Sequence, residues 1–296
     1  MTSLSAKPNG SDSHTLVPGE FRLTSEDFRA IAQAIYSDAG IHMPESKATL
    51  VYSRLARRLR ALGLESFKAY CDLIRSSDGI DERQKMLAAL TTNVTRFFRE
   101  SHHFDHLRDK ALPVLLARAA RGECVRIWSA GCSNGQEAYT MALVILTLAP
   151  KAADLDLRIL ASDIDPNVVA EGRIGCYEDG ALADIAPDLR RRYFTRTTEG
   201  GRELNEVSED MKRIVTFREL NLFAPWPMKK KFDLIFCRNV AIYFDQDHQA
   251  SLWQRFASAL TPGGFLYIGH SERLSGPATE VFSNDGITTW RLEAGR

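Results

Sequence analysis

The sequence predicts an α/β fold: a doubly wound, mainly parallel sheet with a small inserted antiparallel β-subdomain, preceded by a small all-α domain. Three observations predict this fold. Residues 20–90 show helical periodicity, short apolar runs alternate with helical stretches from residue 124 onward, and this alternation breaks over residues 187–218. Alternating strands and helices are typical of a parallel sheet that is covered by helices on both faces.

The N-terminal part is expected to be helical after a short tail. Residues 1–19 contain scattered Ser, Asn, Gly and Pro without the apolar core of a signal peptide, which predicts a disordered tail. The helical domain covers residues 20–90. Its first helix starts at a capping signature, Thr24 or Ser25 followed by acidic residues, and ends near Gly40, and its second helix ends at Gly63. Residues 91–123 form a linker and a helix, with TTNVTRFFRE as a polar-aromatic interruption.

The α/β domain covers residues 124–296. The candidate strands are residues 124–129, 157–162, 214–218, 232–237 and 264–269, and the candidate helices are residues 136–148, 165–173 and 246–260. In the segment 187–218, Gly200 and Gly201 lie between two polar stretches that can pair as antiparallel strands. This segment is the predicted β-subdomain.

The composition excludes several function classes. Basic and acidic residues both number 38, so the formal net charge is 0 and no nucleic-acid partner is expected. The richest apolar run, MALVILTLA at 141–149, has about half the length that a membrane span needs, so no membrane insertion is expected. The five cysteines contain no C-x-x-C pair, which favours reduced thiols in the cytosol over disulfides or zinc.

A glycine-containing turn, GCSNG at 131–135, joins the first strand of this domain to a helix. Glycine lets the backbone turn sharply and approach a ligand, although an ordinary tight turn gives the same pattern. The dinucleotide fingerprint G-x-G-x-x-G is absent, and Glu137 in the first helical turn would repel a pyrophosphate. A ligand with a cationic end suits this turn, and S-adenosylmethionine (SAM) carries an ammonium, a sulfonium and no phosphate.

The second strand of the domain ends in a further acidic residue. Asp163 follows the apolar run LRILAS, where a carboxylate can accept hydrogen bonds from both ribose hydroxyls. The alternative is an aspartate with only a turn role. Asp165 precedes Pro166 and is predicted to cap the next helix.

Six blocks in a fixed order resemble the chemotaxis-receptor methyltransferase (CheR) family, which esterifies receptor glutamates with SAM. They are TTNVTRFFRE with HHF (91–104), WSAGCSNGQEAYTMA (128–142), ILASDIDPNVV (159–169), NLF (221–223), FDLIFCRNVAIYFD (232–245) and LTPGGFLYIGHSE (260–272). Residues 40–70 also resemble the helical domain of that family. The resemblance implies a Rossmann-like SAM methyltransferase sheet, and one departure is visible: the family's usual Glu-Glu-Pro after the second glycine is Gln136-Glu137-Ala138 here.

The resemblance also implies roles for individual residues. Asn93, Thr95 and Arg99 would contact the methionine portion of SAM. Arg99 would bind the carboxylate of that portion. Glu137 would receive the ammonium beside Gly131, and Asp163 would hold the ribose. Asn221 and Leu222 would frame the adenine. Arg238, Asn239 and Tyr243 would line the side where the receptor glutamate arrives. Arg238 and Asn239 would also border the cofactor.

The implied reaction is a single in-line methyl transfer that leaves S-adenosylhomocysteine (SAH). A glutamate carboxylate has a reference pKa of about 4.3, so it is ionised at neutral pH and needs no general base. Tyr243 and Arg238 are expected to orient it. No metal is expected, because His102, His103 and His270 show no metal-ligand spacing and are interpreted as structural.

A basic helix is the candidate receptor-binding surface. Val51, Leu55, Leu59 and Leu62 share one apolar stripe. The basic residues between positions 46 and 62 are Lys47, Arg54, Arg57, Arg58 and Arg60. A solvated basic face is the alternative. The resemblance implies docking on the acidic, cytoplasmic methylation region of a receptor, at membrane receptor arrays, and the β-subdomain is a candidate site for a receptor C-terminal peptide.

The sequence also bears on rival functions. A nucleic-acid methyltransferase is disfavoured, because Cys237-Arg238-Asn239-Val240 replaces the Asp/Asn-Pro-Pro-aromatic motif and Cys237 does not follow a proline. A nicotinamide dehydrogenase is disfavoured by the turn at 131–135. A non-catalytic SAM-binding signalling protein, or a methyltransferase of another substrate class, stays open.

Overall fold

The computed structural model describes residues 14–294. These residues form two compact units, of which the first comprises residues 14–38 and 42–90 and the second comprises residues 39–41 and 91–294. Within residues 14–294, no helix combines the length and the apolar character that crossing a membrane requires.

The first unit is mainly helical. Its elements are strands β1 (Thr15–Val17) and β2 (Leu23–Thr24) and helices α1 (Ser25–Ala39), α2 (Ala48–Leu62), α3 (Phe67–Arg75) and α4 (Ile80–Leu90). Thr24 and Asp27 form the predicted cap of α1, since the Thr24 Oγ1 donates to Asp27 Oδ2 at 2.6 Å and accepts from the Asp27 N–H at 3.2 Å. Gly63 ends α2 in the left-handed conformation, with φ +66°.

Two expectations for this unit need correction. Of the predicted disordered tail, residues 1–13 lie outside the described residues, but Thr15–Val17 pairs antiparallel with Leu23–Thr24 and is therefore ordered. The predicted apolar stripe of α2 is buried at Val51, Leu55 and Leu59, each 0% exposed, whereas Leu62 is 39% exposed. Leu62 is the last residue of α2, where the helix gives way to the Gly63 turn.

The second unit carries a seven-stranded sheet. Its helices are α5 (His102–His106), which continues through a π-helical turn (Leu107–Ala111) into α6 (Leu112–Ala120), and α7 (Gln136–Leu148), α8 (Pro166–Ile174), α9 (Pro187–Tyr193), α10 (Glu209–Ile214) and α11 (Gln246–Ala259). Its strands are β3 (Val125–Ala130), β4 (Leu157–Asp163), β5 (Cys176–Tyr177), β6 (Phe194–Glu199), β7 (Arg202–Val207), β8 (Val215–Glu219), β9 (Phe232–Cys237), β10 (Leu260–Ile268), β11 (Phe282–Gly286) and β12 (Thr289–Leu292).

The strand order places a switch point beside β3. The large sheet runs β11-β12-β10-β9-β3-β4-β8, with parallel pairing from β10 to β8 and antiparallel pairing of β12 with β10 and β11. The chain runs outward from β3 through β4 to β8 and returns to the other side of β3 as β9. In such sheets a ligand binds beyond the carboxyl ends of the strands, where the order reverses. The fold therefore points to the loops after β3, β4, β9 and β10.

The inserted β-subdomain starts earlier and ends earlier than expected. Its three antiparallel strands lie in the order β5-β7-β6, with β6 and β7 joined at Gly200 and Gly201. Strand β5 precedes the predicted segment 187–218, and β8 at its end belongs to the large sheet. The sequence indicated the polar character of the insert. The two-residue strand β5 was not predictable, because its pairing with β7 joins residues that are distant in the sequence.

Candidate functional site

The turn after β3 is shaped by two glycines with different neighbours. Gly131 has φ +81°, and a Cβ there would lie 2.3 Å from Cγ2 of Val240, in the loop after β9. Gly135 has φ +92°, and a Cβ there would lie 2.7 Å from the ring of Phe217. Gly131 thus lets the loops after β3 and β9 meet, whereas Gly135 is explained by core packing as well as by the turn.

Strained backbone is concentrated around this edge of the sheet. Four residues other than glycine have positive φ in the loops that surround it: Phe98 (+51°), Glu100 (+56°), Ser133 (+50°) and Asn239 (+59°). Each such residue costs about 1–3 kcal/mol, and such strain clusters at functional sites. The backbone therefore supports the placement of a site here independently of the sequence motifs.

Glu137, in the first turn of α7, is held by two partners. Its Oε1 accepts from Ser129 Oγ at 2.6 Å, and its Oε2 accepts from Arg238 Nη1 at 3.1 Å. The side chain is 12% exposed. Burial raises the pKa of Glu137, and the charge of Arg238 and the Ser129 hydrogen bond oppose that rise. Each carboxylate oxygen keeps a second acceptor position, so the arrangement can receive a cation.

Arg238 is paired with a second carboxylate that sequence reasoning missed. Its Nη2 lies 3.4 Å from Glu100 Oε2 and also donates to the Arg99 carbonyl, and its side chain is 2% exposed. The guanidinium lies 5.5 Å from the ring centroid of Phe104. Arg238 is thus already paired with two carboxylates, and its burial limits direct contact with an arriving carboxylate.

Glu100 joins three segments of the chain. Its Oε1 accepts from His270 Nδ1 at 2.8 Å and from Asn239 Nδ2 at 3.4 Å, and its Oε2 faces Arg238. Burial alone would raise the pKa of Glu100, but the His270 hydrogen bond and the Arg238 charge outweigh burial and lower it to about 2. Glu137, Arg238 and Glu100 together carry one net negative charge, which suits a cationic ligand.

Asp163 lies at the tip of β4, 8% exposed, and organises the turn beside it. Its Oδ2 accepts from the Ser133 N–H at 2.8 Å and its Oδ1 from the Asp165 N–H at 3.1 Å. Burial raises the pKa of Asp163 and these backbone hydrogen bonds oppose the rise. The carboxylate keeps acceptor capacity for a ribose hydroxyl, so the predicted role remains chemically available. Asp165 caps α8 as predicted, with its side chain accepting from the Asn167 N–H.

The segment 91–100 is tied to the turn through Asn93. Asn93 Nδ2 donates to Asp165 Oδ2 at 2.8 Å, and the Asn93 carbonyl accepts from Ser133 Oγ at 2.9 Å. The side-chain nitrogen of Asn93 is therefore engaged, and its side-chain amide oxygen is the atom available for the predicted ligand contact. Arg99 donates to the Val94 carbonyl at 2.8 Å, and within residues 14–294 it forms no ion pair with a carboxylate. Thr95 is half-buried in the same segment.

The remaining predicted cofactor residues follow β8 and β9. Asn221 Oδ1 accepts from the Phe223 N–H at 2.9 Å, Leu222 is 7% exposed, and the neighbouring Leu220 N–H donates to the Asp163 carbonyl at 2.8 Å. This last bond brings the loop after β8 to the tip of β4, as a ligand spanning a ribose and an adenine requires. Asn239 directly follows Arg238 and contacts Glu100.

Tyr243 lies in a short 3₁₀ turn, residues Ala241–Tyr243, before α11. It is partly exposed, whereas Arg238 is almost completely buried. Of the two residues predicted to orient a carboxylate, Tyr243 is therefore the accessible one.

The basic helix α2 is less available for a partner than its sequence indicates. Arg58 binds Glu82 with two hydrogen bonds, at 2.9 and 2.6 Å, and Glu82 also accepts from Tyr70. Arg60 pairs with Glu20, and Arg54 donates to the Ala89 carbonyl. Lys47 and Arg57 are exposed, and neither forms an ion pair within the described chain.

The histidines near Arg238 are buried or bonded within the site. Burial lowers the pKa of His103 to about 3, so this ring is neutral at physiological pH, and its Nε2 lies 2.8 Å from Thr288 Oγ1. Ligand atoms of Glu100, His102 and His103 lie within 4.8 Å of one another, which the spacing of the sequence did not indicate. A divalent metal ion at these three residues would lie beside the Arg238 guanidinium, which is 3.4 Å from Glu100 Oε2 and would repel it.

Sequence reasoning missed several groups that build the site. Ser129, Glu100 and Glu272 all lie in or beside the blocks quoted above, but their roles depend on partners from distant segments. Two consecutive residues of TRFFRE have opposite charge, Arg99 and Glu100, and only the arginine had been assigned a role. For Glu272, the available signal was a lone acidic residue at the end of the motif GHSE.

Comparison with known proteins gives concordant matches. A family model described as CheR methyltransferase, all-alpha domain, matches residues 26–91, and one described as CheR methyltransferase, SAM binding domain, matches residues 93–290. A probable chemotaxis protein methyltransferase of Rhizobium etli is 56% identical over 257 residues, which are 87% of this chain and 96% of that protein. Chemotaxis protein methyltransferases of Escherichia coli and Salmonella typhimurium are 41% identical (86% of each chain covered) and 39% identical (97% and 98% covered).

Proposed function

The chain belongs to the CheR methyltransferase family and is a SAM-dependent methyltransferase of chemotaxis, and we propose that it esterifies glutamate side chains of chemotaxis receptors. The observation that carries this proposal is the buried cluster Glu137–Arg238–Glu100 beyond the carboxyl ends of β3 and β9. Its net negative charge matches a donor with an ammonium and a sulfonium, and its one cation, Arg238, is already paired with both carboxylates.

The residues present fit the donor. Glu137 supplies a carboxylate for the ammonium, Asp163 supplies a carboxylate at the tip of β4 for the ribose, and Arg99 has a guanidinium without a carboxylate partner in the described chain. Asn93, Thr95, Gly131, Asn221, Leu222 and Asn239 complete the proposed contacts. When bound, SAM supplies a methyl group on a positively charged sulfur.

The chain's task in the reaction is positioning. The acceptor glutamate is ionised at neutral pH, so no residue has to remove a proton from it. Holding the acceptor oxygen in line can contribute about 7–11 kcal/mol to the lowering of the barrier. The partly exposed Tyr243 would orient the carboxylate through its hydroxyl. Arg238, with its charge balanced by Glu137 and Glu100, would shape that side without a full ion pair to the attacking oxygen, which would weaken the oxygen as a nucleophile.

The partner is proposed to be the cytoplasmic methylation region of chemoreceptors, which would recruit the protein to receptor arrays. Support comes from the exposed Arg57 on helix α2 and the exposed Lys47 directly before it, since complementary charge speeds encounter and fixes register. A receptor C-terminal peptide would pair with β6, which lies at one end of the three-stranded sheet and could be extended by a further strand.

The test uses methyl-labelled SAM with chemoreceptor-rich membranes, followed by mild base. Glutamate methyl esters release volatile labelled methanol, which is the expected result. Label that resists base would indicate another substrate class, and absence of any label with intact SAM binding would indicate a non-catalytic SAM-binding signalling protein. Either result would refute the proposed reaction.

A further inference from the structure

Glu272, in the turn after β10, collects four backbone N–H groups. Its Oε1 accepts from Val240 at 2.9 Å and Ala241 at 2.7 Å, and its Oε2 accepts from Asn239 at 3.0 Å and Gly269 at 2.5 Å. The residue is 4% exposed. The whole acceptor capacity of one buried carboxylate is thus directed at main-chain groups.

These four donors belong to two loops that touch. A Cβ on Gly269 would lie 2.6 Å from Asn239 Nδ2 and 2.8 Å from the Asn239 nitrogen, so only a glycine permits this approach. Asn239 itself has φ +59°. The loop after β9 is therefore held in a strained shape by a carboxylate that belongs to the loop after β10.

The loop that Glu272 holds carries the proposed acceptor side. It starts with Arg238 and continues through Val240, which packs against Gly131, to the 3₁₀ turn that ends at Tyr243. Glu272 contacts none of the proposed cofactor residues except the Asn239 main chain. Glu137, Asp163 and Arg99, which would hold most of the donor, lie outside this loop.

We propose that Glu272 is a positioning residue for methyl transfer, which fixes the 239–241 backbone so that Tyr243 meets the acceptor glutamate in line with the methyl group. The inference rests on the proposed esterification. It separates two properties of the site, because most of the proposed donor contacts lie outside the loop after β9, whereas acceptor alignment depends on Glu272.

The test compares Glu272→Gln with Asp233→Asn. Asp233 is a matched control, since it is also 4% exposed, accepts from Arg118 Nη1 at 2.6 Å and from the Arg126 N–H at 2.9 Å, and lies near the opposite end of β9. In Glu272→Gln an amide nitrogen faces N–H donors and repels them. For each variant we would measure the free energy of unfolding, the Kd for SAM by calorimetry, and kcat and KM for receptor methyl ester formation.

Glu272→Gln is expected to lower kcat about 100-fold, since a misplacement of about 1 Å can cost that factor. Its Kd for SAM should stay within about threefold of the wild-type value, a change below about 1 kcal/mol. Asp233→Asn should lose comparable stability and keep its kcat. Glu272→Asp, which keeps the charge on a shorter side chain, should fall between Glu272→Gln and the wild type.

Three results would overturn the inference: an unchanged kcat in Glu272→Gln, a kcat loss of equal size in Asp233→Asn, or a loss of SAM affinity that matches the loss of kcat. If Glu272→Gln does not fold, Glu272→Asp decides, and failure of both to fold would assign Glu272 to the fold alone and contradict the proposal. A wild-type enzyme that forms no base-labile ester would refute the proposed function itself, which is a separate outcome.

Discussion

Replacing Glu137 with Gln removes one charge at nearly constant shape. In the structure, its carboxylate accepts from Ser129 at 2.6 Å and Arg238 at 3.1 Å and is 12% exposed. Hydrogen bonds to charged groups contribute about 1.5–3 kcal/mol. If Glu137 receives the donor ammonium, the variant should bind SAM about 10- to 150-fold more weakly.

The comparison of SAM with SAH sharpens this prediction. Both molecules carry the ammonium, and only SAM carries the sulfonium, so titration calorimetry should show similar losses of affinity for the two ligands. Folding should suffer moderately, by about 1–3 kcal/mol, because Glu100 at 3.4 Å still balances Arg238. Ser129→Ala is the control: it removes the Ser129 hydroxyl and keeps the Glu137 charge.

Three results would refute the reasoning. An unchanged Kd for both ligands would show that Glu137 does not contact the amino-acid end of the donor. A loss of affinity for SAM but not for SAH would mean that Glu137 interacts with the sulfonium and not with the ammonium. An equal loss in Ser129→Ala would mean that side-chain placement, and not charge, determines affinity.

Further predictions concern the helical unit and pH. Reversing Lys47 and Arg57 to Glu should slow receptor methylation about tenfold at low ionic strength, with the effect shrinking in 1 M salt and the Kd for SAM unchanged; equal loss of both properties would contradict it. Arg58→Ala should cost about 2–3 kcal/mol in denaturant unfolding, because buried Glu82 loses its ion pair; a cost near zero would contradict a structural Arg58. His103 has a pKa lowered to about 3, so the unfolded chain binds its proton first as the pH falls below 6.5. Stability should therefore drop by about 2 kcal/mol from pH 6.5 to 5 through this residue alone, and a His103→Gln variant should lack that part of the drop.

The large sheet was largely predictable because its strands are buried on both faces. Strand β9, FDLIFC, is buried at all six positions, and apart from Asp233 it is an apolar run. Helix α7 has the predicted bounds, 136–148, since a glycine precedes it and the apolar residues 141–146 are all buried. The hairpin of β11 and β12 was missed, although Asp285-Gly286, directly before its two-residue loop, is a dipeptide typical of turns.

The site was predictable in its outline and not in its pairing. The acidic first turn at Glu137 follows from local sequence, as does the helix cap at Asp165. The burial of Arg238 between two carboxylates depends on residues 101 and 138 positions away, and no local pattern encodes such distances. The same limit applies to Arg58, whose partner Glu82 lies 24 residues further along.

The basic helix shows why counting charges in a sequence overstates a docking surface. Of its five cations, Arg58 and Arg60 have carboxylate partners in the structure, and Arg54 is engaged with a backbone carbonyl. A reversal of Arg54 with Arg58 would therefore test folding and docking together. The exposed pair Lys47 and Arg57 separates the two effects.

Peptide mass spectrometry of a purified receptor cytoplasmic fragment, incubated with this enzyme and SAM, tests the central claim most directly. The account predicts a mass increase of one methyl group on specific glutamates, reversed by mild alkali and absent when SAM is omitted. Methylation on lysine, arginine or a nucleotide, or an unmodified fragment beside an enzyme that binds SAM, would contradict it.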